Sequence, residues 1–277
     1  MEGTRLHVVL ARAGVASRRA CERMIAAGEI RVNGKVVTEL GTRVEDHDAI
    51  LVSGRPLRRA QEHRHLVLNK PREVVTTVAD PEGRRTVMDF VPGLRERAWP
   101  VGRLDYHSEG LVILTNDGQL THDLTHPSRH VPRVYHAKID GELGEAERAR
   151  LRRGIRLEGR QTGPIETRPL RRATHSAAHT WIEIVVHEGR YHLVREALAI
   201  VGHPVSRLKR VAFGPLKLGR LPAGAVRELT PAEVQALRRA ARGESRPGEI
   251  GGGAKRHGSK STPPARRKPA RSPRQPS

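Results

Sequence analysis

The segment VGRLDYHSEGLVILTNDG spans residues 101–118 and joins three unlike pieces. Its middle, Leu111 to Leu114, is apolar and reads as a strand. Behind it, Asn116-Asp117-Gly118 is a turn signal, and Gln119 to Leu124 reads as a helix. Ahead of it lies a polar stretch carrying Asp105 and Glu109. A lone aspartate among 30 acidic residues is ordinarily a solvated or capping group, so Asp105 acquires chemical meaning only from its surroundings.

On either side the same alternation continues. Leu66 to Leu68, Val74 to Val78, Val134 to Ile139 and Thr180 to Val186 read as strands, the last with Ile182, Ile184 and Val186 facing one way. Glu145 to Arg153 and Tyr191 to Val201 read as helices, the second ending at Gly202. Its stripe of Leu193, Val194, Ala197, Leu198 and Val201 leaves Arg195 off the buried side, free to face a cleft. Strands and helices mix without regular βαβ order, and no glycine fingerprint for a nucleotide follows a strand. The expected class is therefore α+β with a largely antiparallel sheet.

Composition removes whole classes of function. The chain has 277 residues, with 51 Lys plus Arg against 30 Asp plus Glu, a net charge of +21. Such a balance points to a nucleic-acid partner. Seven aromatic residues are too few to pave an RRM-type sheet with stacking rings. No apolar run approaches a membrane span and the first ten residues hold no signal-peptide core, so a soluble, cytoplasmic protein is expected. Cys21 stands alone, which excludes an internal disulfide and a thiolate zinc site. His122, His126 and His130 recur at ligand spacing, but Pro127 ends that helix and no metal site is expected.

Three regions are expected: residues 1–60, 61–241 and 242–277. In the first, Arg5 to Gly14 and a helix capped by Ser17 and stopped by Gly28 precede a hairpin turning at Asn33-Gly34. Arg18, Arg19 and Arg23 fall on the outward positions of the second helix. Residues 55–65 suit a linker. The last region holds ten Lys or Arg against two Glu in a run rich in Gly, Pro and Ser, and reads as a disordered basic tail.

Two resemblances turn these features into a function. RLHVVLARAGVASRRACERMIAAGEIRVNGKVV, from Arg5, resembles an S4 RNA-binding domain, which implies RNA contacts through Arg18, Arg19 and Arg23. The segment 101–118 resembles the signature of the RsuA/RluB-like pseudouridine synthases. Further likeness lies in LNKPREVVTT (68–77), DPEGRRTV (80–87), HPSRHVPRVYHAKIDG (126–141) and HEGRYHLVREALAIVGHPVSRLKRVAFGPLKLG (187–219). Together the two resemblances run from Arg5 to Val234.

The resemblance implies a cofactor-free isomerisation of uridine to pseudouridine in ribosomal RNA, with the nucleotide flipped from its stack. Large-subunit rRNA is the expected substrate, by a monomer; the alternatives are small-subunit rRNA and a non-catalytic RNA-binding assembly factor. Asp105 is implied as the catalytic carboxylate, attacking or deprotonating at the sugar. Arg195 is implied as its basic partner and Tyr135 as the ring that stacks on the base. Arg103 is implied to fill the gap left in the RNA, and Lys70 to contact it. The chain departs from the family pattern at Glu73, where a Gly is usual, and at Leu193, Glu196 and Ala197 beside Arg195.

Overall fold

The computed structural model describes residues 3–57, 62–170 and 179–244. Residues 245–277, most of the expected tail, and residues 58–61 of the expected linker lie outside these. The first part contains β1 (Thr4–Arg5), α1 (Leu6–Arg12), α2 (Arg18–Ala26), β2 (Ile30–Val32), β3 (Lys35–Val37), β4 (Arg43–Val44), β5 (Ile50–Val52) and β6 (Arg55–Pro56). Ser17 starts α2 by accepting a hydrogen bond from the Ala20 amide at 3.2 Å. Asn33 and Gly34 both have positive φ, 50° and 82°, the turn that matches the twist of the β2–β3 hairpin. Leu6, Leu10, Cys21, Ile25, Ile30, Val44 and Ile50 close a small core between the helices and the β3-β2-β5-β6 sheet. Burial pushes the Cys21 thiol up, so it behaves as a small apolar side chain.

The second part continues with β7 (His65–Lys70), β8 (Trp99–Pro100), β9 (Glu109–Thr115), α3 (Gly118–Thr125), β10 (Arg133–Asp140) and α4 (Glu145–Arg152). After these come β11 (Arg156–Leu157), β12 (Arg160–Gln161), β13 (Glu166–Pro169), β14 (His179–Val186) and α5 (Leu193–Ile200). The last elements are β15 (Val205–Phe213), β16 (Leu216–Lys217), β17 (Val226–Glu228) and α6 (Pro231–Ala241). The main sheet runs β13-β14-β10-β15-β9-β7-β17 and is antiparallel except where β15 meets β9. This is the expected α+β architecture with a largely antiparallel sheet.

Both faces are covered at β7 and β9, which are therefore buried at nearly every position, whereas β10 and much of β15 alternate. Leu66, Leu68, Val112 and Leu114 face a core closed by α4 and α5. Val67, Leu111 and Ile113 face the opposite core, with Leu120 and Leu124 of α3 and Val234 and Leu237 of α6. No helix among the described residues is long and apolar enough to cross a membrane.

Two local expectations change. Val74 to Val78 is not a strand: only Val75 bridges, to Thr86, because the segment wraps across the end of the sheet instead of pairing along it. Glu73, just before it, has φ 60°, a left-handed conformation that explains why a Gly suits this position. The helix expected from Tyr191 starts at Leu193, because His192 is also left-handed at φ 50°.

Candidate active site

Asp105 sits in the loop between β8 and β9, and the stretch 68–77 grips that loop from both sides. Thr76 Oγ donates to the Leu104 carbonyl at 2.6 Å and accepts from the Leu104 amide at 3.3 Å. On the other side, the Glu73 amide donates to the Tyr106 carbonyl at 2.8 Å. Lys70 Nζ reaches the same carbonyl at 3.4 Å, and those of Pro71 and Val74 at 3.0 and 2.8 Å. The two residues flanking Asp105 are thus fixed by one strand end and the turn after it.

This overturns the expectation for Lys70. Its side chain is wholly buried, and its ammonium is spent on backbone carbonyls, so it is a support for the loop and not a contact for RNA. Burial pulls its pKa down to about 8, while Asp105 and Glu109 pull the other way. Glu109 itself meets Arg207 at 3.5 Å, away from any pairing with Asp105.

The Asp105 carboxylate lies where two clefts meet. One, of about 630 Å³, is lined by Tyr135, Val186, Leu193, Leu208, Arg133 and Arg210 among others. The second, of about 640 Å³, runs past Thr76, Thr77, Asp80, Tyr106 and His107. Both are lined by Arg103, Leu104, Asp105, Tyr191, His192 and Arg195. The structure therefore brings together Asp105, Tyr135, Arg195 and Arg103. Arg18, Arg19 and Arg23 stay exposed on the small N-terminal part.

The details differ from a simple Asp–Arg pair. Arg195 Nη1 donates to the Val205 carbonyl at 2.9 Å. Burial lowers its pKa, and Asp105 acts on it in the opposite direction as a nearby negative charge. The side chains against the carboxylate are His192, with Nε2 3.4 Å from Oδ1, and Ser108, with Oγ 3.4 Å from Oδ2. His192 stacks on Tyr191 with ring centroids 3.8 Å apart, and the Arg103 guanidinium lies 5.5 Å from the Tyr191 ring. All three tyrosines of the chain, 106, 135 and 191, surround Asp105.

Several of these residues escaped the sequence reading. Tyr191 and His192 lie inside the quoted segment 187–219, but periodicity assigned them to a helix. Arg133 precedes Tyr135 by two positions on a strand, so alternation alone puts both on one face. Arg210 had no local signal.

Comparison with known proteins identifies the family. A family model described as RNA pseudouridylate synthase matches residues 64–199, and one for the S4 domain matches residues 4–50. An uncharacterized RNA pseudouridine synthase of Aquifex aeolicus (strain VF5) is 42% identical over 236 residues, 84% of this chain and 93% of that protein. Ribosomal large subunit pseudouridine synthase B of Bacillus subtilis (strain 168) is 42% identical over 231 residues, 83% of this chain and 94% of that protein. A crystal structure of a pseudouridylate synthase superposes with a TM-score of 0.60 at 28% identity, covering 85% of this chain and all of that one. A carboxylate loop clamped at the meeting of two clefts, on a sheet shared with such relatives, leads to one conclusion: this chain belongs to the RNA pseudouridine synthase family and carries an S4 domain ahead of the synthase domain.

Proposed function

We propose that this enzyme isomerises uridine to pseudouridine in large-subunit ribosomal RNA, acting on a nucleotide flipped out of its stack. The observation that carries the reading is the position of Asp105, partly exposed at the junction of the two clefts. The cleft lined by Tyr135 suits an everted base and the second suits the strand that delivers it. The large-subunit assignment is supported by the name of the Bacillus subtilis relative.

In this reading the Asp105 carboxylate acts at the sugar, so that the C1′–N1 bond breaks and its electron pair stays with the base. The base rotates, C5 bonds to C1′, C5 loses its proton and N1 gains one. Atoms and electrons balance within the nucleotide, so the isomerisation draws on no redox partner. Tyr135, buried beside Asp105, stacks on the base, Arg195 acts on the carboxylate only as a nearby positive charge, and Arg103 occupies the space the base vacates. Arg18, Arg19 and Arg23 hold phosphates, which offsets the few kcal/mol that eversion costs.

The test is a carbodiimide and reverse-transcription map of rRNA from cells with and without the gene, and with Asp105→Asn in its place. One large-subunit stop should vanish in both altered strains, while purified Asp105→Asn still binds the RNA. A stop that persists with Asp105→Asn would refute the role given to this carboxylate, and one lost from small-subunit rRNA would move the substrate.

A further inference from the structure

The floor of the cleft lined by Tyr135 holds two buried guanidinium groups that the reaction above leaves unused. Arg133 is 7% exposed and Arg210 is 2% exposed. Arg210 is the register partner of Tyr135 across the β10–β15 pair, and Arg133 lies on the same face of β10, so all three side chains converge. Each guanidinium also lies about 5 Å from the Phe213 ring, at 5.0 and 5.1 Å. Their hydrogen bonds go to backbone carbonyls. Arg133 donates to Val131 at 3.3 Å and Leu124 at 3.5 Å, and Arg210 Nε donates to Leu111 at 2.8 Å. Nη2 of Arg210 is buried with no acceptor. Glu188 in the cleft wall acts on Arg133 as a nearby negative charge, but no carboxylate among the described residues forms an ion pair with either guanidinium, and attraction to one shared ring replaces little of the hydration they lose. Burial accordingly lowers the pKa of Arg133.

Resting on the proposed reaction, we infer that Arg133 and Arg210 receive the carbonyl oxygens of the uracil ring and stabilise the anion it becomes when the C1′–N1 bond breaks. The walls around them, Tyr135, Val186, Leu193, Leu208 and Phe213, admit a flat heterocycle and disfavour a hydrated phosphate. Phosphates fit better on the exposed guanidinium groups of Arg18, Arg19 and Arg23. Negative charge on the departing ring spreads over N1, O2 and O4. Donors preorganised in a dry cleft act most strongly where charge develops during the reaction. Both arginines keep their protons throughout, and the anion is consumed when C5 bonds to C1′.

The experiment compares full-length wild type with Arg133→Gln and Arg210→Gln on two large-subunit rRNA transcripts. One contains uridine and the other 5-fluorouridine, whose fluorine withdraws electrons and stabilises the ring anion by itself. Single-turnover loss of the parent nucleoside is measured at saturating enzyme, with RNA affinity and thermal melting alongside. On the uridine transcript each variant should lose about 100- to 1000-fold in rate. Affinity should stay within about threefold of wild type, as expected of donors that act on charge developing during the reaction. On the fluorinated transcript the loss should shrink at least about tenfold, since the ring then needs less help.

Equal losses on both transcripts would overturn the inference, as would affinity falling in step with rate, the mark of a phosphate contact. Should either glutamine variant fail to melt cooperatively, Arg133→Lys and Arg210→Lys keep the charge and answer the same question. Partial loss relieved by fluorine supports the inference, and loss that fluorine leaves unchanged sinks it. Wild type inactive on both transcripts would remove the proposed reaction as well. Wild-type turnover with unimpaired arginine variants would remove this inference alone.

Discussion

His192 Nε2 lies 3.4 Å from Asp105 Oδ1, so the carboxylate is held from the loop before α5 and not from α5 itself. The contact exists because His192 is left-handed and Tyr191 stacks behind it, turning the imidazole back across the cleft mouth. Ser108 Oγ donates to the second oxygen at 3.4 Å. His192 is therefore a positioning residue for the carboxylate.

His192→Ala should lower the single-turnover rate about 10- to 100-fold, the penalty of a misplaced reacting group, with RNA affinity nearly unchanged. Combined with Ser108→Ala, the loss should be smaller than the product of the two, since both steady one carboxylate. A double variant whose losses multiply would show that they act separately.

Lys70 gives the fold a pH signature. Its pKa is near 8 in the folded chain and about 10.5 when unfolded, so between these values the unfolded chain binds the extra proton. Folded stability attributable to Lys70 therefore rises as pH climbs from about 8 toward 10.5, by up to about 3 kcal/mol. Denaturant melts of wild type and Lys70→Met at pH 7 and pH 10 isolate this component. A difference between the two proteins that does not move with pH would contradict it.

Gly110 marks the one parallel junction of the main sheet, where β9 meets β15. It has φ 111°, and an added Cβ would run into the backbone of Arg210. Gly110→Ala should cost about 3 kcal/mol or more, through both clash and strain. Because the clash pushes on Arg210, the rate should fall even in the fraction that remains folded. A cooperative melt within about 1 kcal/mol of wild type would show that the junction can yield.

Asp117 ties α3 to α6. Its carboxylate accepts from the Gln119 and Leu120 amides at 3.0 and 2.9 Å and from Arg238 Nη2 at 2.6 Å. Burial pushes its pKa up, but the Leu120 amide and Arg238 outweigh that and the net direction is down. Its contribution is therefore present above about pH 4 and lost as pH falls further. Asp117→Ala should cost about 3 kcal/mol at pH 7 and less in acid. Urea midpoints measured across that range would reveal an unchanged gap if the cap were unimportant.

Much of this protein was readable one segment at a time. Ser17, Asn33-Gly34 and Pro127 act within a few residues of themselves, and each did in the structure what its chemistry requires. The stripe of α5 was legible because burial on one side imposes its period. The closing helix α6 was overlooked although Thr230 and Glu233 form a reciprocal cap with Pro231 between them, a signal as local as any. Val74 to Val78 misled because β-branched residues favour extended backbone whether or not a partner strand is present.

The sequence by itself determined the elements, the basic surface and the motif that carries Asp105, since propensity, capping and charge are properties of neighbours along the chain. Only the tertiary structure decided that Lys70 is interior, that His192 and not Arg195 touches the carboxylate, and that Arg133 and Arg210 share one floor. Those outcomes depend on which strands lie side by side and which charges lose their water, and both are settled by packing between residues distant in the chain.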